Sequence, residues 1–374
     1  RGCPYLCSFC LSALDKTVRY FDDEIIFNQM ENLINAGVKK FKFVDRTFNL
    51  KPGRMKTLME WLSQFIGSEF HFEVVGDILT PNILRFLETV PPGMFQFEIG
   101  IQTTDESVQK SIDRKQNNQK LFDTIKTLLV QDRIHFHCDL IFGLPGENMG
   151  KILNSFREVL SLRPHELQLG FLKFLPGAPI KNTIRSHKYQ YQSTPPYELI
   201  SNKDLSAEDV DYLKKFADIF DRFYNSKRFR FSIVHLLQKM DPVTLFDRLL
   251  HHHESNNLFM NPVALDTQYK IFQQTFFTNP SSEEKDLLKL DYLYSQRAYR
   301  LPAFLSEKSI FSGKTWKQDR KTPIISFQHK IEISGSKAHL KSMEHPVYYA
   351  ISHSNNGSGY FHRPILNRIE EPRV

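Results

Sequence analysis

The first 180 residues alternate between short apolar stretches and amphipathic helical stretches, and this alternation limits the possible folds more than any other feature of the sequence. The apolar stretches read KKFKFVD, FHFEVV, FQFEIGIQ, IHFHCDLIFGL and LQLGFLKFL. Near-continuous apolar strands that alternate with helices are typical of a parallel sheet with crossover helices, because the helices cover the sheet. The sequence therefore predicts an α/β fold with five parallel strands.

Capping residues mark where several of the helices begin and end. Residues 22–36 have an acidic start and apolar residues at helical spacing, and Gly37 follows where a helix C-cap would lie. Thr80 and Pro81 predict the start of another helix by cap and first-turn proline. Ser206, with Asp209 three residues later, resembles a capping box, and the stretch SSEEKDLLKLDYLYSQ begins in the same way.

The pattern changes after about residue 181, and 374 residues are enough for two domains that each bury a core. A polar stretch with Pro195-Pro196 predicts a linker, and helical segments follow it. We predict four parts, which are a core barrel over residues 1–180, a linker over 181–200, a helical domain over 201–300 and a β-rich or irregular extension over 301–374.

Charge and hydropathy exclude several classes of protein. The formal net charge is +7, but the Lys and Arg residues are spread along the chain, which favours a solvated surface over a nucleic-acid-binding face. The sequence has no apolar run long enough for a membrane span, and no basic-then-apolar leader precedes the first cysteine. We therefore expect a cytoplasmic protein without a membrane partner.

Three of the four cysteines lie in the first ten residues, RGCPYLCSFC, at the spacing C-x-x-x-C-x-x-C. Such clustering is a poor disulfide framework and suits a metal site in a reducing compartment. Cys3, Cys7 and Cys10 could hold a 4Fe-4S cluster and leave one iron open for another ligand. The fourth cysteine, Cys138, lies within an apolar strand, where a buried structural thiol is expected. A zinc knuckle is the alternative, although zinc would also need a fourth ligand.

The cysteine loop resembles the signature of the radical S-adenosylmethionine (radical SAM) enzymes, and Phe9 stands where that family usually has an aromatic residue. The resemblance implies that Cys3, Cys7 and Cys10 bind a 4Fe-4S cluster. It also implies that the open iron chelates S-adenosylmethionine, which a one-electron reduction cleaves to a 5'-deoxyadenosyl radical.

Further stretches are similar to motifs of the same family. The loop VDRTFN corresponds to the one that contacts the amino group of S-adenosylmethionine, so Asp45, Thr47 and Asn49 are candidates for that contact. The stretch FEIGIQ resembles an E-x-G-x-Q pattern, and its period of two places Glu98 and Gln102 on one face of a strand, pointing into the barrel.

The remaining candidates lie later in the chain. Arg114 follows the E-x-G-x-Q stretch and could pair with Glu98, whose other expected partner is a ribose hydroxyl. DLIFGLPGEN resembles the fifth-strand motif beside the adenine, with Asp139 and Gly143 as candidates, while Glu147 is expected to begin the next helix. LKFLPGAPI resembles the family's sixth strand, and the resemblance implies that the backbone at about Phe174 or Leu175 meets the adenine edge.

Together these motifs look most like the cobalamin-binding subgroup of radical SAM enzymes with an uncharacterised C-terminal domain. The resemblance implies a partial (β/α)6 TIM-like barrel, whose first strand would lie upstream of Arg1, followed by a mainly helical domain. It implies a 4Fe-4S cluster, S-adenosylmethionine and a cobalamin bound by a domain N-terminal to this sequence. The implied reaction is methyl transfer or a related radical modification of a small-molecule substrate, with an electron donor such as flavodoxin or ferredoxin.

Two other functions remain open at this stage. A radical enzyme that modifies tRNA, such as a methylthiotransferase, would suit the positive charge, but the sequence contains no C-terminal RNA-binding barrel with a basic, aromatic face. A non-catalytic iron-sulfur electron carrier would explain the cysteines but not the motifs that follow them.

Overall fold

The structure is a computed structural model that describes residues 2–295, 301–306, 324–334, 337–353 and 364–369. The chain divides into two compact units, Arg1–Lys214 and Lys215–Val374. The division into four parts stays a prediction, and parts of its last two segments lie outside the described residues.

The first unit is built on a five-stranded parallel sheet, as predicted. Its strands follow the order of the chain, β1-β2-β3-β4-β5, and every neighbouring pair is parallel. They are β1 (Lys40–Lys42), β2 (Glu69–Glu73), β3 (Phe95–Gln102), β4 (His135–Phe142) and β5 (Glu166–Phe171). Sequential parallel strands need a crossover between them, and this gives the α/β architecture expected from the alternation.

Six helices belong to this sheet, namely α1 (Asp23–Asn35), α2 (Pro52–Leu62), α3 (Pro81–Leu87), α4 (Glu106–Ser111), α5 (Asn118–Gln131) and α6 (Met149–Ser161). Two of the predicted helix starts are confirmed by side-chain caps. The Asp22 side chain accepts a hydrogen bond from Glu24 N at the start of α1, and Thr80 accepts one from Ile83 N at the start of α3. These caps satisfy backbone donors that have no partner within the helix.

The two faces of the sheet differ more than near-continuous apolar strands would suggest. Along β3 the side chains of Phe95, Phe97 and Ile99 are fully buried, whereas Glu98 and Gln102 on the other face are only half-buried. Burial of a large apolar side chain contributes about 1.5–3 kcal/mol, so the apolar face supplies the core of the unit. The polar face is left for the site described below.

A short antiparallel hairpin of β6 (Gln190–Tyr191) and β7 (Leu199–Ser201) lies in and just beyond residues 181–200, which were predicted as a linker. The hairpin joins the chain that follows β5, since Leu199 N donates to Leu172 O at 2.9 Å and Phe174 N donates to Tyr197 O at 2.9 Å. The Leu199 side chain is fully buried. This stretch therefore packs within the first unit.

Helix α7 (Ala207–Phe220) contains the boundary between the units, and its predicted capping box is confirmed. Ser206 N donates to the Asp209 carboxylate at 2.9 Å, and Asp209 N donates to the Ser206 hydroxyl at 3.1 Å. The second unit continues with α8 (Arg230–Leu236), α9 (Pro242–Ser255), α10 (Leu265–Phe276) and α11 (Ser282–Ser295). Its described strands β8 (Ile324–Ser334), β9 (Lys337–His353) and β10 (Pro364–Ile369) form an antiparallel sheet in the order β10-β9-β8.

Two buried carboxylates connect elements of the second unit. Asp291 in α11 accepts hydrogen bonds from Phe231 N at 2.8 Å and Ser232 N at 2.9 Å, at the start of α8. Asp286, also in α11, accepts from Gln328 N and from both His329 N and His329 Nδ1 in β8. Buried carboxylates are stable only when they are hydrogen-bonded, so these contacts fix α11 against α8 and β8.

None of the helices within the described ranges is both long enough and apolar enough to cross a membrane.

Candidate active site

The cysteine loop is held in place by backbone hydrogen bonds to three separate parts of the first unit. Cys3 N donates to Asp15 O at 3.0 Å, Ser8 N donates to Ile112 O at 2.9 Å, and Ile180 N donates to Ser8 O at 2.7 Å. Gly2 has a φ of +86°, and a Cβ there would overlap the Thr17 carbonyl, so this entry to the loop requires glycine. The loop therefore presents its cysteines in a fixed conformation.

All three thiols of this loop face one cavity. Its volume is about 220 Å³, and Cys3 and Cys7 are buried while Cys10 is half-buried. No disulfide joins any of the four cysteines. The cavity is lined by nine of the thirteen residues predicted as site residues, namely Cys3, Cys7, Phe9, Cys10, Thr47, Glu98, Gln102, Arg114 and Asp139. These residues, far apart in sequence, meet at the polar face of the parallel sheet.

Each cysteine sulfur has a different hydrogen-bonding group beside it. Thr47 Oγ1 lies 3.6 Å from Cys3 Sγ, and Arg114 Nη1 donates to Cys7 Sγ at 3.8 Å. Ser12 N donates to Cys10 Sγ at 3.4 Å. Burial raises the pKa of Cys7, and the neighbouring Arg114 charge opposes this rise because it favours the thiolate.

The residues that line the cavity fit a 4Fe-4S cluster, because three thiols face it. Within the described ranges, no three His, Cys, Asp or Glu side chains converge closely enough to hold one metal ion. A 4Fe-4S cluster takes its thiolates on different iron atoms, so its ligands surround a volume instead of meeting at a point. The donors beside Cys3, Cys7 and Cys10 also suit thiolate sulfur, which accepts hydrogen bonds.

Glu98 is paired, but its partners differ from the predicted one. Its carboxylate lies 2.9 Å from His71 Nε2 and accepts from Lys42 Nζ at 3.1 Å. The hydrogen bond with His71, together with that of Lys42, lowers the pKa of Glu98 to about 2 despite its burial. A cation was one of the two partners expected for Glu98, and Lys42 supplies it; the named candidate, Arg114, donates elsewhere.

Arg114 is held by groups close to the cluster loop. Its Nη2 donates to Gly100 O, and its Nε donates to Gln116 Oε1 at 3.0 Å. These two contacts aim the remaining nitrogen, Nη1, at Cys7 Sγ. The guanidinium therefore faces the cysteine loop and not the Glu98 carboxylate.

Asp139 lies deep in the cavity and contacts a histidine of its own strand. Its Oδ1 is 3.2 Å from His137 Nε2, and burial raises the pKa of Asp139. Burial lowers the pKa of His137, but the contact with Asp139 outweighs this, so the net change is a raised pKa. The pair can hold or release a proton at the cavity wall.

Gln102 ends β3 in an unusual backbone conformation. Its φ is +70°, in the left-handed region, and the pairing of β3 with β4 shifts register between Gly100 and Gln102. The Gln102 Oε1 atom is buried in the cavity wall and has no hydrogen-bond partner among the described residues. A buried acceptor without a partner fits a ligand that donates a hydrogen bond, such as a hydroxyl group.

Four predicted site residues do not line this cavity. Asp45 lies beside a separate cavity, and Asn49 is fully buried and exchanges hydrogen bonds with the Val75 backbone. Gly143 donates its N–H to the Glu147 carboxylate at 3.0 Å and accepts from the Tyr189 hydroxyl at 3.0 Å. Leu175 accepts a hydrogen bond from Ala178 N in the turn after β5.

The expectation that Glu147 begins a helix is also wrong. Helix α6 begins two residues later, with Asn148 as its N-cap. Glu147 is buried and accepts hydrogen bonds from Gly143 N and Leu144 N, so it closes the turn after β4. Burial raises the pKa of Glu147 to about 8, although these two backbone donors oppose the rise.

The cavity is also lined by polar and charged residues that were not predicted from the sequence. Arg46 lines it and donates to both carboxylate oxygens of Glu73, at 3.1 and 3.0 Å, and Tyr5 and Lys115 line it as well. An acidic residue at the end of the apolar stretch FHFE was a usable signal for Glu73. Arg46 could not be chosen over Asp45 from the sequence, because the direction of side chains in a loop does not follow a fixed period.

Comparison with known families agrees with this geometry. Residues 1–159 match the sequence profile of the radical SAM superfamily. The N-terminal part of the chain is a radical SAM domain. The match supports a radical SAM enzyme, and this family implies a 4Fe-4S cluster and S-adenosylmethionine. Residues 185–347 match a family of proteins of unknown function, DUF4080, so the expected uncharacterised C-terminal domain is confirmed.

The radical SAM domain is similar to several curated proteins. The cobalamin-dependent radical SAM methyltransferase TokK of Streptomyces tokunonensis is 25% identical over 213 residues, which are 52% of this chain and 30% of TokK. The heme chaperone HemW of Bacillus subtilis is 21% identical over 222 residues, which are 54% of this chain and 57% of HemW. The chain therefore spans only about a third of the length of TokK.

Among solved structures, the radical S-adenosylmethionine methyltransferase TsrM of Kitasatospora setae, with tryptophan and a SAM analogue bound, is similar with a TM-score of 0.45 and 14% identity. The similarity covers 52% of this chain and 40% of the TsrM chain.

Proposed function

We propose that this chain is the radical-forming part of a cobalamin-dependent methyltransferase that acts on a small-molecule substrate. The observation that carries the proposal is the convergence of Cys3, Cys7 and Cys10 on one cavity at the polar face of a parallel sheet. Enzymes built on such sheets keep their chemistry at the carboxyl ends of the strands.

Methyl transfer is favoured over other radical reactions by the similarity to TokK, which is itself described as a cobalamin-dependent radical SAM methyltransferase. The similarity to HemW points to a different outcome, because HemW is described as a heme chaperone. Both proteins match about half of this chain. The proposal therefore needs a test for the radical step and a separate test for the methyl group.

The residues of the cavity divide into those that would hold the cluster and those that would hold the cosubstrate. Cys3, Cys7 and Cys10 would ligate the 4Fe-4S cluster, which supplies one electron to S-adenosylmethionine when bound. Gln102 offers a buried acceptor for a hydroxyl of the bound nucleoside. Glu98, ionised because His71 and Lys42 hold its pKa low, offers a second acceptor on the same strand face.

The Asp139–His137 pair supplies the group that can exchange a proton at the cavity wall. Asp139 with its raised pKa can hold the proton, while His137 beside it can share the charge. Cys3, Cys7 and Thr47 line the cavity and are buried, so little water reaches that part of its wall. A reactive carbon radical requires such exclusion of water and a substrate held close to it.

The partners follow from this chemistry. A cluster that passes one electron per cycle must be reduced again, so the proposed electron donor is a flavodoxin or a ferredoxin. The proposed substrate is a small molecule, because the positive charges are spread along the chain and are not gathered in one segment. Binding of tRNA with a steep dependence on salt concentration would argue for nucleic acid instead.

The radical step is tested with the longest natural form of the polypeptide, purified without oxygen and with its cluster reconstituted. The protein is reduced and mixed with S-adenosylmethionine, and 5'-deoxyadenosine is measured by chromatography. Cys7→Ala removes one expected ligand, and Cys138→Ala is the matched control because Cys138 is fully buried in β4 and does not line the cavity. We expect the nucleoside from the unmodified protein and from Cys138→Ala, but not from Cys7→Ala.

A different result would contradict the proposal: the cluster forms, but its EPR spectrum does not change when S-adenosylmethionine is added and no nucleoside is produced. The protein would then be an electron carrier. The methyl-transfer part is tested separately by the absorption spectrum of the same preparation after incubation with methylcobalamin. Retention of the corrin spectrum after gel filtration supports it. If the nucleoside forms but the corrin does not bind, the protein is a radical enzyme that catalyses another class of reaction.

A further inference from the structure

Three separate elements each place one donor beside a different cysteine sulfur. Thr47 follows β1 and lies 3.6 Å from Cys3 Sγ, and Arg114 follows α4 and lies 3.8 Å from Cys7 Sγ. The third donor is Ser12 N, which belongs to the cysteine loop itself. The first two donors are side chains 44 and 107 residues away from their sulfurs, so their placement is a property of the fold.

We propose that Thr47 and Arg114 are positioning residues that hold the Cys3 and Cys7 sulfurs and raise the reduction potential of the cluster. This inference rests on the proposed function only in that a cluster is bound by these cysteines. It assigns both side chains to cluster sulfur, whereas the family resemblance implied a contact of Thr47 with S-adenosylmethionine and the sequence suggested a pairing of Arg114 with Glu98.

The direction of the effect follows from electrostatics. Reduction adds one negative charge to the cluster, and hydrogen-bond donors or positive charges beside its sulfurs stabilise that charge. Once Cys3 is a ligand its sulfur has no proton, so the Thr47 hydroxyl must be the donor of that pair. Removal of either donor should therefore make the cluster harder to reduce.

The surroundings of the two residues make them fixed donors. Thr47 is buried, so its hydroxyl has little competing water. The other nitrogens of Arg114 donate to Gly100 O and Gln116 Oε1, which leaves Nη1 directed at Cys7 Sγ. A full charge beside sulfur acts more strongly than a neutral hydroxyl, so Arg114 should have the larger effect.

The test measures the midpoint potential of the reconstituted cluster by EPR-monitored redox titration, without S-adenosylmethionine. Thr47→Val keeps the shape and removes the hydroxyl, whereas Thr47→Ser keeps the hydroxyl. Arg114→Gln removes the charge, and Lys110→Gln removes an equal charge from an exposed position of α4. Omitting S-adenosylmethionine separates an effect on the cluster from an effect on cosubstrate binding.

We expect Thr47→Val to lower the potential by about 59 mV, which is a tenfold shift in a one-electron equilibrium. Arg114→Gln should lower it further, while Thr47→Ser and Lys110→Gln stay at the potential of the unmodified protein. Equal potentials for Thr47→Val, Arg114→Gln and the unmodified protein, at equal iron content, would overturn the proposal.

Loss of the cluster in a variant is also decisive. If Thr47→Val contains no iron but Thr47→Ser does, the hydroxyl holds the Cys3 sulfur as proposed. If both lose iron, the hydroxyl is not the cause and the proposal for Thr47 fails. Absence of iron from the unmodified protein is a distinct result, because it removes the proposed function before any variant is compared.

Discussion

The Asn49 side chain and the Val75 backbone exchange two hydrogen bonds. Asn49 Nδ2 donates to Val75 O at 2.7 Å, and Val75 N donates to Asn49 Oδ1 at 2.9 Å. The Asn49 side-chain amide thus makes the same pair of hydrogen bonds to the backbone just after β2 that the backbone of a neighbouring strand would make. This pairing fixes the loop after β1, which carries Thr47 and Arg46 into the cavity.

Replacement of Asn49 by alanine should therefore destabilise the protein. The change leaves a buried N–H and a buried C=O without partners, and we expect the free energy of unfolding to fall by about 2 kcal/mol. Urea unfolding measures the change, with Asn32→Ala on the exposed surface of α1 as the matched control. Equal unfolding midpoints for the two variants, together with weaker S-adenosylmethionine binding by Asn49→Ala, would instead favour the ligand contact implied by the family.

Gly143 and Gly146 form a matched pair in the turn after β4. Both have positive φ, +87° and +74°, but only at Gly143 would a Cβ overlap the buried Leu199 side chain. We expect Gly143→Ala to be the more destabilising by about 1–3 kcal/mol, because overpacking adds to the backbone strain that both variants share. Thermal unfolding of the two variants side by side measures this, and equal losses would mean that Leu199 moves aside freely.

Much of this fold could be predicted because its signals are local. The period of apolar residues gave the five strands, and side-chain caps such as Thr80 and Ser206 marked helix starts that the structure confirms. The cysteine spacing likewise located the cavity, since Cys3, Cys7 and Cys10 lie within one loop. These features depend on residues close in sequence.

The errors concern contacts between distant residues. Glu98 was expected to accept from a ribose hydroxyl or to pair with a cation such as Arg114, yet its partners are His71 in β2 and the cation Lys42 in β1. Which residues pair with Glu98 depends on the register of the parallel strands and on the conformations of the long side chains. Neither can be read from a short-range sequence pattern. The same holds for Arg46, whose loop was identified but whose direction was not.

Glu147 gives a prediction for the dependence of stability on pH. Because burial raises its pKa to about 8, the folded state keeps a proton between about pH 4.5 and 8 that the unfolded state has lost. The protonated Glu147 side chain therefore makes its whole contribution to the free energy of unfolding below the pKa that it has in the unfolded state. Above that pKa the contribution decreases as the pH rises, by up to about 1.4 kcal/mol per pH unit. Urea midpoints measured from pH 5 to 8 should decrease, and Glu147→Gln should flatten the decrease.

The control for Glu147 is Glu106→Gln, which changes an exposed carboxyl group in the first turn of α4. It should keep the slope of the unmodified protein. If Glu147→Gln has that same slope, the buried carboxyl group is not the source of the pH dependence.

Asp291 provides a test in the second unit. Its carboxylate accepts from Phe231 N and Ser232 N at the start of α8, although it belongs to α11, and it is fully buried. Asp241 is a local cap of α9 whose exposed side chain accepts from Thr244 N. Water can replace the Asp241 side chain in an alanine variant, but it cannot readily reach the donors that Asp291 serves.

We therefore expect Asp291→Ala to cost about 2–3 kcal/mol and Asp241→Ala about 1 kcal/mol, because an unsatisfied buried donor costs more than a lost exposed cap. Hydrogen exchange distinguishes the mechanism from a general loss of stability. In Asp291→Ala the amides of Phe231 and Ser232 should lose protection before the rest of α8 and α11 do. A cap protects first the two amides that it binds, so its loss should expose those amides before others. If protection is instead lost uniformly across the unit, the carboxylate stabilises the packing of α11 and not the start of α8.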